Sequence, residues 1–242
     1  NSGGKPFFCV YSSFLQRTYD QLSQDVCINK SPVTIAVFAA SVYGMSDVTH
    51  LGIYDIPMIS NIPELVYLAP VTKEEYLAML DWSLEQSEHP VAIRVPASLV
   101  SDGKPFTKDL SKLNKYEMTQ KGSQVAVIAL GSFYSMGVEA AKLMEGKTGV
   151  KATVINPYYI TGIDKEMLES LKADHKTVIT LEDGVLEGGF GEKIARFYGD
   201  SDVKTLCFGL EKKFYDRYDP AEVLKENHLT PEQIAEDVIK TL

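Results

Sequence analysis

The stretch FFCVYSSFLQRTYDQ, residues 7–21, begins with five apolar or aromatic residues and then becomes polar. The run 7–12 has the length and composition of a strand, and the residues after it repeat at helical spacing. Ser13 and Gln16 form a capping-box pair at the start of the predicted helix. The apolar face of that helix carries Leu15, Tyr19, Leu22 and Val26. We therefore predict a strand that leads directly into a helix, the unit from which parallel sheets are built.

The same alternation of short apolar runs and helical patterns continues along the chain. Predicted strands cover residues 33–38, 64–70, 91–95, 124–130, 151–156, 177–182 and 203–209. Predicted helices cover residues 73–86, 134–146, 164–172, 189–198, 220–227 and 231–241, the last with Thr230 and Pro231 as its N-cap and first residue. The polar segment 97–120 breaks the pattern and is interpreted as a linker with a short strand or two. We predict an α/β fold of two domains, residues 1–115 and 116–242, with mainly parallel sheets flanked by helices.

Composition narrows the class of protein. The chain has 242 residues, of which 45% are hydrophobic, so it can bury a core and is not a disordered protein. The net charge is −9 without a basic stripe, so we expect neither nucleic acid nor a membrane as a partner. The three cysteines are widely spaced and form no CxxC pair, which argues against a disulfide framework and favours a cytoplasmic location.

Three polar side chains are candidates for a site on pattern alone. His50 lies in a loop of about twenty residues, 38–57, and loops this long in a compact domain are usually functional or disordered. It is a candidate general acid or base, a substrate hydrogen-bond partner, or a solvent-facing residue. Arg94 ends a predicted strand and Arg17 lies in the first turn of a predicted helix, where each can contact an anion or form a salt bridge.

The glycines Gly188, Gly189 and Gly191 lie between a predicted strand and a helix, where phosphates often bind. Their spacing departs from the dinucleotide-binding motif, so close packing of helix on strand is the favoured interpretation. No two histidines have metal-ligand spacing, and we predict no metal site from this chain's own residues.

Two motifs resemble those of the thiamine-diphosphate-dependent transketolase family. The first is Tyr-Ser-x-Phe-x-x-Arg-x-x-Asp-Gln over residues 11–21, and the second is Thr-His-x-Gly over residues 49–52. The resemblance covers the whole chain and is strongest to the 1-deoxy-D-xylulose-5-phosphate synthases of isoprenoid biosynthesis. It implies a pyrimidine-binding domain without its N-terminal part, followed by a transketolase C-terminal domain. The predicted first strand begins almost at residue 1, so we expect a longer enzyme of which this is the C-terminal portion.

The resemblance implies roles for the candidate residues. Phe14 would stack on the aminopyrimidine ring of thiamine diphosphate, with Tyr11 and Arg17 beside it. His50 would be catalytic as a hydrogen-bond donor or proton carrier. Arg94 and Asp47 would contact the substrate. Magnesium, its ligands and the cofactor-activating glutamate are expected upstream of residue 1, so we expect this portion alone to be inactive.

Two departures from the synthases leave the acceptor substrate open. Arginines that would hold a substrate phosphate are replaced by Ala39 and Ala97, and the loop aspartate falls at Ser46, beside Asp47. Losing two charge-assisted hydrogen bonds would weaken phosphate binding by roughly two to four orders of magnitude, unless Arg94 compensates. The donor and acceptor implied are pyruvate and glyceraldehyde 3-phosphate.

Other interpretations stay open. The chain is also compatible with a split transketolase or a 2-oxo acid dehydrogenase β-like subunit, completed by a separate partner chain. A third interpretation is a non-catalytic domain that keeps the fold. The expected partners are small-molecule substrates, a second copy in a homodimer, and the missing N-terminal portion or a partner chain.

Overall fold

A computed structural model describes residues 3–96 and 102–242 of the chain. Ala97, one of the two positions where the resemblance expects an arginine, lies outside the described residues. Among the described residues, none of the helices is both long enough and apolar enough to cross a membrane.

The first sheet has four parallel strands in the order β1-β2-β4-β3. Its strands are β1 (Phe7–Tyr11), β2 (Thr34–Ala40), β3 (Val66–Leu68) and β4 (Val91–Pro96). The accompanying helices are α1 (Tyr19–Gln21), α2 (Asp55–Ile59) and α3 (Lys73–Glu85). The hydrophobic runs of the sequence became strands because both faces of the inner strands are covered, as parallel sheets require. β1 is one of the two edge strands, and most of its residues are exposed.

The second sheet has five strands in the order β5-β7-β6-β8-β9, with β5 antiparallel to β7 and the other pairs parallel. Its strands are β5 (Glu117–Gln120), β6 (Gln124–Ala129), β7 (Thr153–Asn156), β8 (His175–Val185) and β9 (Lys204–Leu210). The helices are α4 (Tyr134–Thr148), α5 (Lys165–Leu171), α6 (Phe190–Tyr198), α7 (Pro220–Glu226) and α8 (Pro231–Ile239). β5 is the short strand predicted within the linker, and Thr230 caps α8 as predicted, accepting from the backbone N–H of Gln233.

The segment after β1 differs from the single amphipathic helix predicted there. It consists of a 3₁₀ helix (Ser12–Arg17), the short α1, and a wide π-helical stretch (Leu22–Cys27). The predicted capping box is wrong, because the chain turns immediately at Tyr11 and the hydroxyl of Ser13 has no hydrogen-bond partner among the described residues. Leu15 and Leu22 are buried as predicted, whereas the tight turn leaves Tyr19 exposed.

The two sheets are joined by a continuous core. One hydrophobic cluster contains Ile56 and Tyr67 from the first unit together with Tyr116 and Phe190 from the second. Backbone hydrogen bonds cross the same boundary, since the N–H of Ile160 donates to the carbonyl of Tyr67 at 2.8 Å. The two units therefore bury a shared interior.

The carboxyl end of β2 has an unusual backbone. Ala39 and Ser41 have φ angles of 52° and 87°, a region that residues other than glycine rarely adopt. The loop that follows returns to this end, where the N–H of Ser41 donates to the carbonyl of Gly52 at 2.7 Å. A Cβ at Gly52 would lie 1.9 Å from the carbonyl oxygen of Ala39, so only glycine permits this approach. The strained end of β2 thus fixes where the His50 loop begins and ends.

Candidate functional site

Three aromatic rings meet at the carboxyl end of β1. Tyr11 is its last residue, Phe14 lies on the 3₁₀ helix that follows, and His50 comes from the loop after β2. The Phe14 and His50 ring centres are 5.1 Å apart, and Tyr11 lies 6.0 Å from Phe14 and 6.2 Å from His50, all in edge arrangements. Because ligands of open parallel sheets bind at this end of the strands, the cluster is positioned for binding.

A pocket of about 320 Å³ opens beside these rings. Its lining includes Phe14, Arg17, Thr49, Tyr54, Met58 and Phe214. Phe214 comes from the segment between β9 and α7, is 80% exposed, and packs edge-on to Tyr54 with ring centres 6.0 Å apart. The pocket therefore combines aromatic surface with one arginine, and both halves of the chain contribute to it.

The loop carrying His50 is organised by Asp47. Asp47 caps the 3₁₀ turn Val48–His50 by accepting from the N–H of Thr49 at 2.8 Å. It also accepts from the Thr49 hydroxyl, and these two hydrogen bonds, the side-chain one first, lower the pKa of Asp47. Nδ1 of His50 lies 2.8 Å from the Thr49 hydroxyl oxygen, and the imidazole is 30% exposed. His50 is therefore accessible and held at one of its two nitrogens.

Residues of the second unit form hydrogen bonds with the loop that carries His50. Asp216 accepts from the N–H of Val48 at 3.2 Å, and the N–H of Arg217 donates to the carbonyl of Ser46 at 2.6 Å. The Tyr218 hydroxyl donates to the carbonyl of Val42 at 3.0 Å. The position of His50 thus depends on residues more than 160 positions away in sequence.

Arg94, which the resemblance predicts as a substrate contact, is buried and paired with two carboxylates. It is 2% exposed, and its Nε donates to Asp55 at 2.7 Å while Nη1 donates to Asp183. Nη2 donates to the carbonyl of Gly52 at 3.4 Å, two residues after His50. Of the two interpretations offered by the sequence, the structure favours the salt bridge, because both carboxylates and the guanidinium are withdrawn from solvent together.

Asp55 and Asp183 were missed by the sequence analysis. Asp55 also accepts from the hydroxyl of Tyr67, and Asp183 from that of Ser132, so the buried carboxylates are satisfied on several sides. Burial, followed by the charge of Asp55, raises the pKa of Tyr67 well above its usual range. A weak signal was available, since Glu182 and Asp183 directly follow the run TVITL within β8.

A carboxyl group of β8 occupies the N–H groups of the glycine loop before α6. The carboxyl group of Glu182 accepts from the N–H groups of Phe190 and Gly191 at 2.8 and 2.7 Å, at a helix N-terminus of the kind that often binds phosphate. A Cβ at Gly189 would lie 2.5 Å from Oε2 of Glu182. Burial raises the pKa of Glu182 to about 7. This geometry favours the packing interpretation of the three glycines.

His175 is the buried first residue of β8. Its Nε2 lies 2.8 Å from the hydroxyl of Thr153. Within residues 3–96 and 102–242, no group of three or more histidine, cysteine, aspartate or glutamate side chains is arranged to hold a metal ion.

Two family models match the chain. The transketolase pyrimidine-binding domain matches residues 2–102, and the transketolase C-terminal domain matches residues 114–234. Together they span the two sheets and include every residue of the aromatic cluster.

Curated relatives are 1-deoxy-D-xylulose-5-phosphate synthases. The chain is 36% identical to the synthase of Clostridium perfringens over 99% of its own length and 39% of that protein. It is 34% identical to that of Caldanaerobacter subterraneus over 98% of its own length and 38% of that protein. The chain thus spans about two fifths of the length of the curated relatives it matches.

Solved structures share the fold. A split-gene transketolase, solved as an inactive β4 tetramer, superposes with a TM-score of 0.83 at 23% identity and covers 98% of this chain and 76% of that one. A transketolase from Pichia stipitis gives a TM-score of 0.78 at 19% identity, covering 98% of this chain and 34% of that one.

Proposed function

The chain belongs to the transketolase family, and we propose that it provides the pyrimidine-binding half of the active site of a thiamine-diphosphate-dependent transferase of two-carbon units. The observation that carries this proposal is the meeting of Tyr11, Phe14 and His50 at the carboxyl end of β1. We retain the division into domains 1–115 and 116–242, supported by the strand order, since the first sheet ends before this boundary and the second begins after it.

The residues present fit the heterocyclic end of thiamine diphosphate. Phe14 is only partly buried, so its ring can stack on an aminopyrimidine, and Tyr11, 46% exposed, flanks the same space. Arg17 lines the adjoining pocket and would sit at the edge of the ring. Stacking of a heterocycle on an aromatic side chain contributes about 1–3 kcal/mol in nucleic-acid complexes, enough to hold a ring in one plane.

In this proposal the diphosphate and magnesium bind to the remainder of a longer enzyme or to a partner chain. When bound, thiamine diphosphate supplies the stabilisation of a carbanion at its thiazolium carbon. His50 would hold or transfer a proton beside the reacting atoms, since its ring is accessible and adjoins Phe14.

The proposed reaction transfers a two-carbon unit from a 2-oxo acid or ketol to an aldehyde, with pyruvate and glyceraldehyde 3-phosphate as the first substrates to test. Asp47 remains a proposed substrate contact, because its side chain is largely exposed. Arg94 does not, because its donors are directed to Asp55 and Asp183. Arg94 therefore does not compensate for the arginine that is replaced by Ala39. Measuring the turnover of phosphorylated and unphosphorylated aldehydes by the full-length protein will identify the acceptor.

Calorimetry of the intact protein with thiamine diphosphate and magnesium tests the central claim. We expect Phe14→Ala to weaken cofactor binding by about 5- to 150-fold, which corresponds to a lost stacking energy of about 1–3 kcal/mol. Phe8→Ala is the matched control, because Phe8 is an exposed phenylalanine of β1 outside the ring cluster.

Equal affinity of wild type and the Phe14 variant would refute the placement of the ring. Absence of any binding by the intact wild type would instead favour the non-catalytic domain. A requirement for a second, separately encoded chain would favour a split enzyme, an alternative for which the split-gene transketolase is a structural precedent.

We also propose a homodimer and a cytoplasmic location for the whole enzyme. The family resemblance supports the first, and the three free cysteines, Cys9, Cys27 and Cys207, are in keeping with the second. Light scattering of the intact protein during size-exclusion chromatography measures the oligomeric state.

A further inference from the structure

A hydroxyl group lies between a carboxylate and the imidazole of His50. The Thr49 hydroxyl oxygen is within hydrogen-bond distance of Oδ1 of Asp47 and, on its other side, 2.8 Å from Nδ1 of His50. Nδ1 itself is 3.8 Å from Oδ1 of Asp47, beyond hydrogen-bond distance, so the connection between acid and imidazole runs through Thr49.

The direction of these hydrogen bonds follows from counting protons. Hydrogen bonds from Thr49 lower the pKa of Asp47, so its carboxylate is ionised at neutral pH and can only accept. The single hydroxyl proton of Thr49 therefore points to Asp47. The same oxygen can then only accept from the imidazole, which requires a proton on Nδ1 of His50.

The geometry of the loop keeps the three groups in register. Asp47 accepts from the backbone N–H of Thr49 at 2.8 Å, and its own carbonyl accepts from the N–H of His50 at 2.9 Å. The carboxylate cannot leave Thr49 without breaking the cap of this turn. None of the described residues forms a hydrogen bond with Nε2 of His50, which leaves that atom open.

We propose that Asp47 and Thr49 are positioning residues that hold neutral His50 in the tautomer with its proton on Nδ1, so that Nε2 presents a lone pair to the ligand. The inference rests on the proposed function for the identity of the ligand. The hydrogen-bond geometry around His50 does not depend on that function. Nε2 is then the atom that accepts a proton and, once charged, returns it. Asp47 acts on the reaction through Thr49, in addition to any contact with substrate.

Long-range ¹H–¹⁵N correlation spectra of the histidine rings, recorded on the ¹⁵N-labelled chain at about pH 8.5, test the tautomer directly. Most imidazoles are neutral at this pH. The His50 signals are those lost in His50→Gln. We expect the Nδ1 shift of a protonated nitrogen and the Nε2 shift of an unprotonated one. Averaged shifts, or the opposite pattern, in the wild-type spectrum would overturn the proposal.

Two substitutions test the hydrogen-bonded chain from Asp47 through Thr49 to His50, which is called the relay below. Thr49→Val keeps the side-chain shape and removes the hydroxyl, so the His50 shifts should move towards those of the opposite tautomer. Thr49→Ser keeps the hydroxyl and should retain the wild-type shifts. Thr241→Val is the matched control, because within the described part of the chain the hydroxyl of Thr241 bonds only to the Val238 carbonyl, far from His50 in sequence. An unchanged His50 spectrum in Thr49→Val would overturn the relay.

If Thr49→Val does not fold, Asp47→Ala removes the acceptor and frees the hydroxyl to rotate, and it should produce the same change in tautomer. These spectra are recorded without cofactor, so the two proposals fail separately. The expected tautomer without calorimetric binding of thiamine diphosphate would leave the relay intact and refute the cofactor site. Binding with the proton on Nε2 would refute the relay alone.

Discussion

At the scale of single residues, the molecule buries several ionisable side chains where its two units meet. Arg94, Asp55 and Asp183 form one group, and Glu182 lies directly before Asp183 on β8. Removing such groups from water costs free energy unless hydrogen bonds and opposite charges compensate. Here each group has specific donors or acceptors. The ion pair between Arg94 and Asp183 therefore specifies which parts of the two units contact each other.

Glu182 gives a pH dependence with a defined sign. Its pKa is about 7 in the folded protein, against 4.5 for an ordinary glutamate, so between these values the folded state binds a proton that the unfolded state has released. The Glu182 contribution to the free energy of unfolding therefore falls as pH rises from about 4.5 to 7, by roughly 2–3 kcal/mol in total. Relative to Glu182→Gln, wild type should lose stability over this range.

Urea denaturation of both proteins at pH 5, 6, 7 and 8 measures this difference, in which the titration of the four histidines cancels. A difference that stays constant with pH, or that changes in favour of wild type as pH rises, would contradict the prediction.

The sequence analysis found the residues of the aromatic cluster but not the partners of Arg94, and the reason is physical. Tyr11, Phe14 and His50 belong to two short local motifs, and their rings lie together in the structure. Arg94 was singled out, but its partners are 39 and 89 residues away, and no local pattern reports a contact at that distance. Because buried charge pairing depends on the completed fold, the role of Arg94 was predicted less well than its position at the end of a strand.

At the scale of elements, strands were predictable because every strand except β5 contains an apolar run, and the two sheets contain all those predicted. The segment after β1 was harder, since an amphipathic spacing of apolar residues does not distinguish an α-helix from the 3₁₀ and π turns observed. Tertiary contact at the strand end decides between them. Elements bounded by sharp polar signals, such as α8 with Thr230, were predicted to within two residues.

Helix α4 allows the same substitution to be tested twice with opposite results. Gly137 is buried, and a Cβ there would lie 2.7 Å from Cβ of Ala129 and 3.1 Å from Cγ1 of Val127. Gly137→Ala should therefore destabilise the fold by about 1–3 kcal/mol through overpacking. Gly146 is exposed with no atom within 4 Å of its Cβ position, so Gly146→Ala should stabilise by about 0.5–1 kcal/mol.

Chemical denaturation of the two variants beside wild type measures both effects. Because the substitutions share a helix and a chemistry, their difference isolates the packing of α4 on β6. Equal effects on stability would show that this packing can relax around an extra methyl group.

At the scale of the whole molecule, the shared core predicts that both units unfold together. Trp82, the single tryptophan, lies on α3 in the first unit, whereas most helices belong to the second. Its fluorescence and the far-UV circular dichroism should therefore report coincident transitions in urea. A circular-dichroism transition displaced from that of Trp82 would show instead that the units unfold separately.

The buried link between Arg94 and Asp183 also bears on how such proteins can be recombined. A chimera that joins the first half of this chain to the second half of a relative would inherit an unbalanced interior charge wherever the relative lacks the acidic partner. The two halves are consequently not interchangeable cassettes, and a successful hybrid must exchange the arginine together with both of its carboxylates.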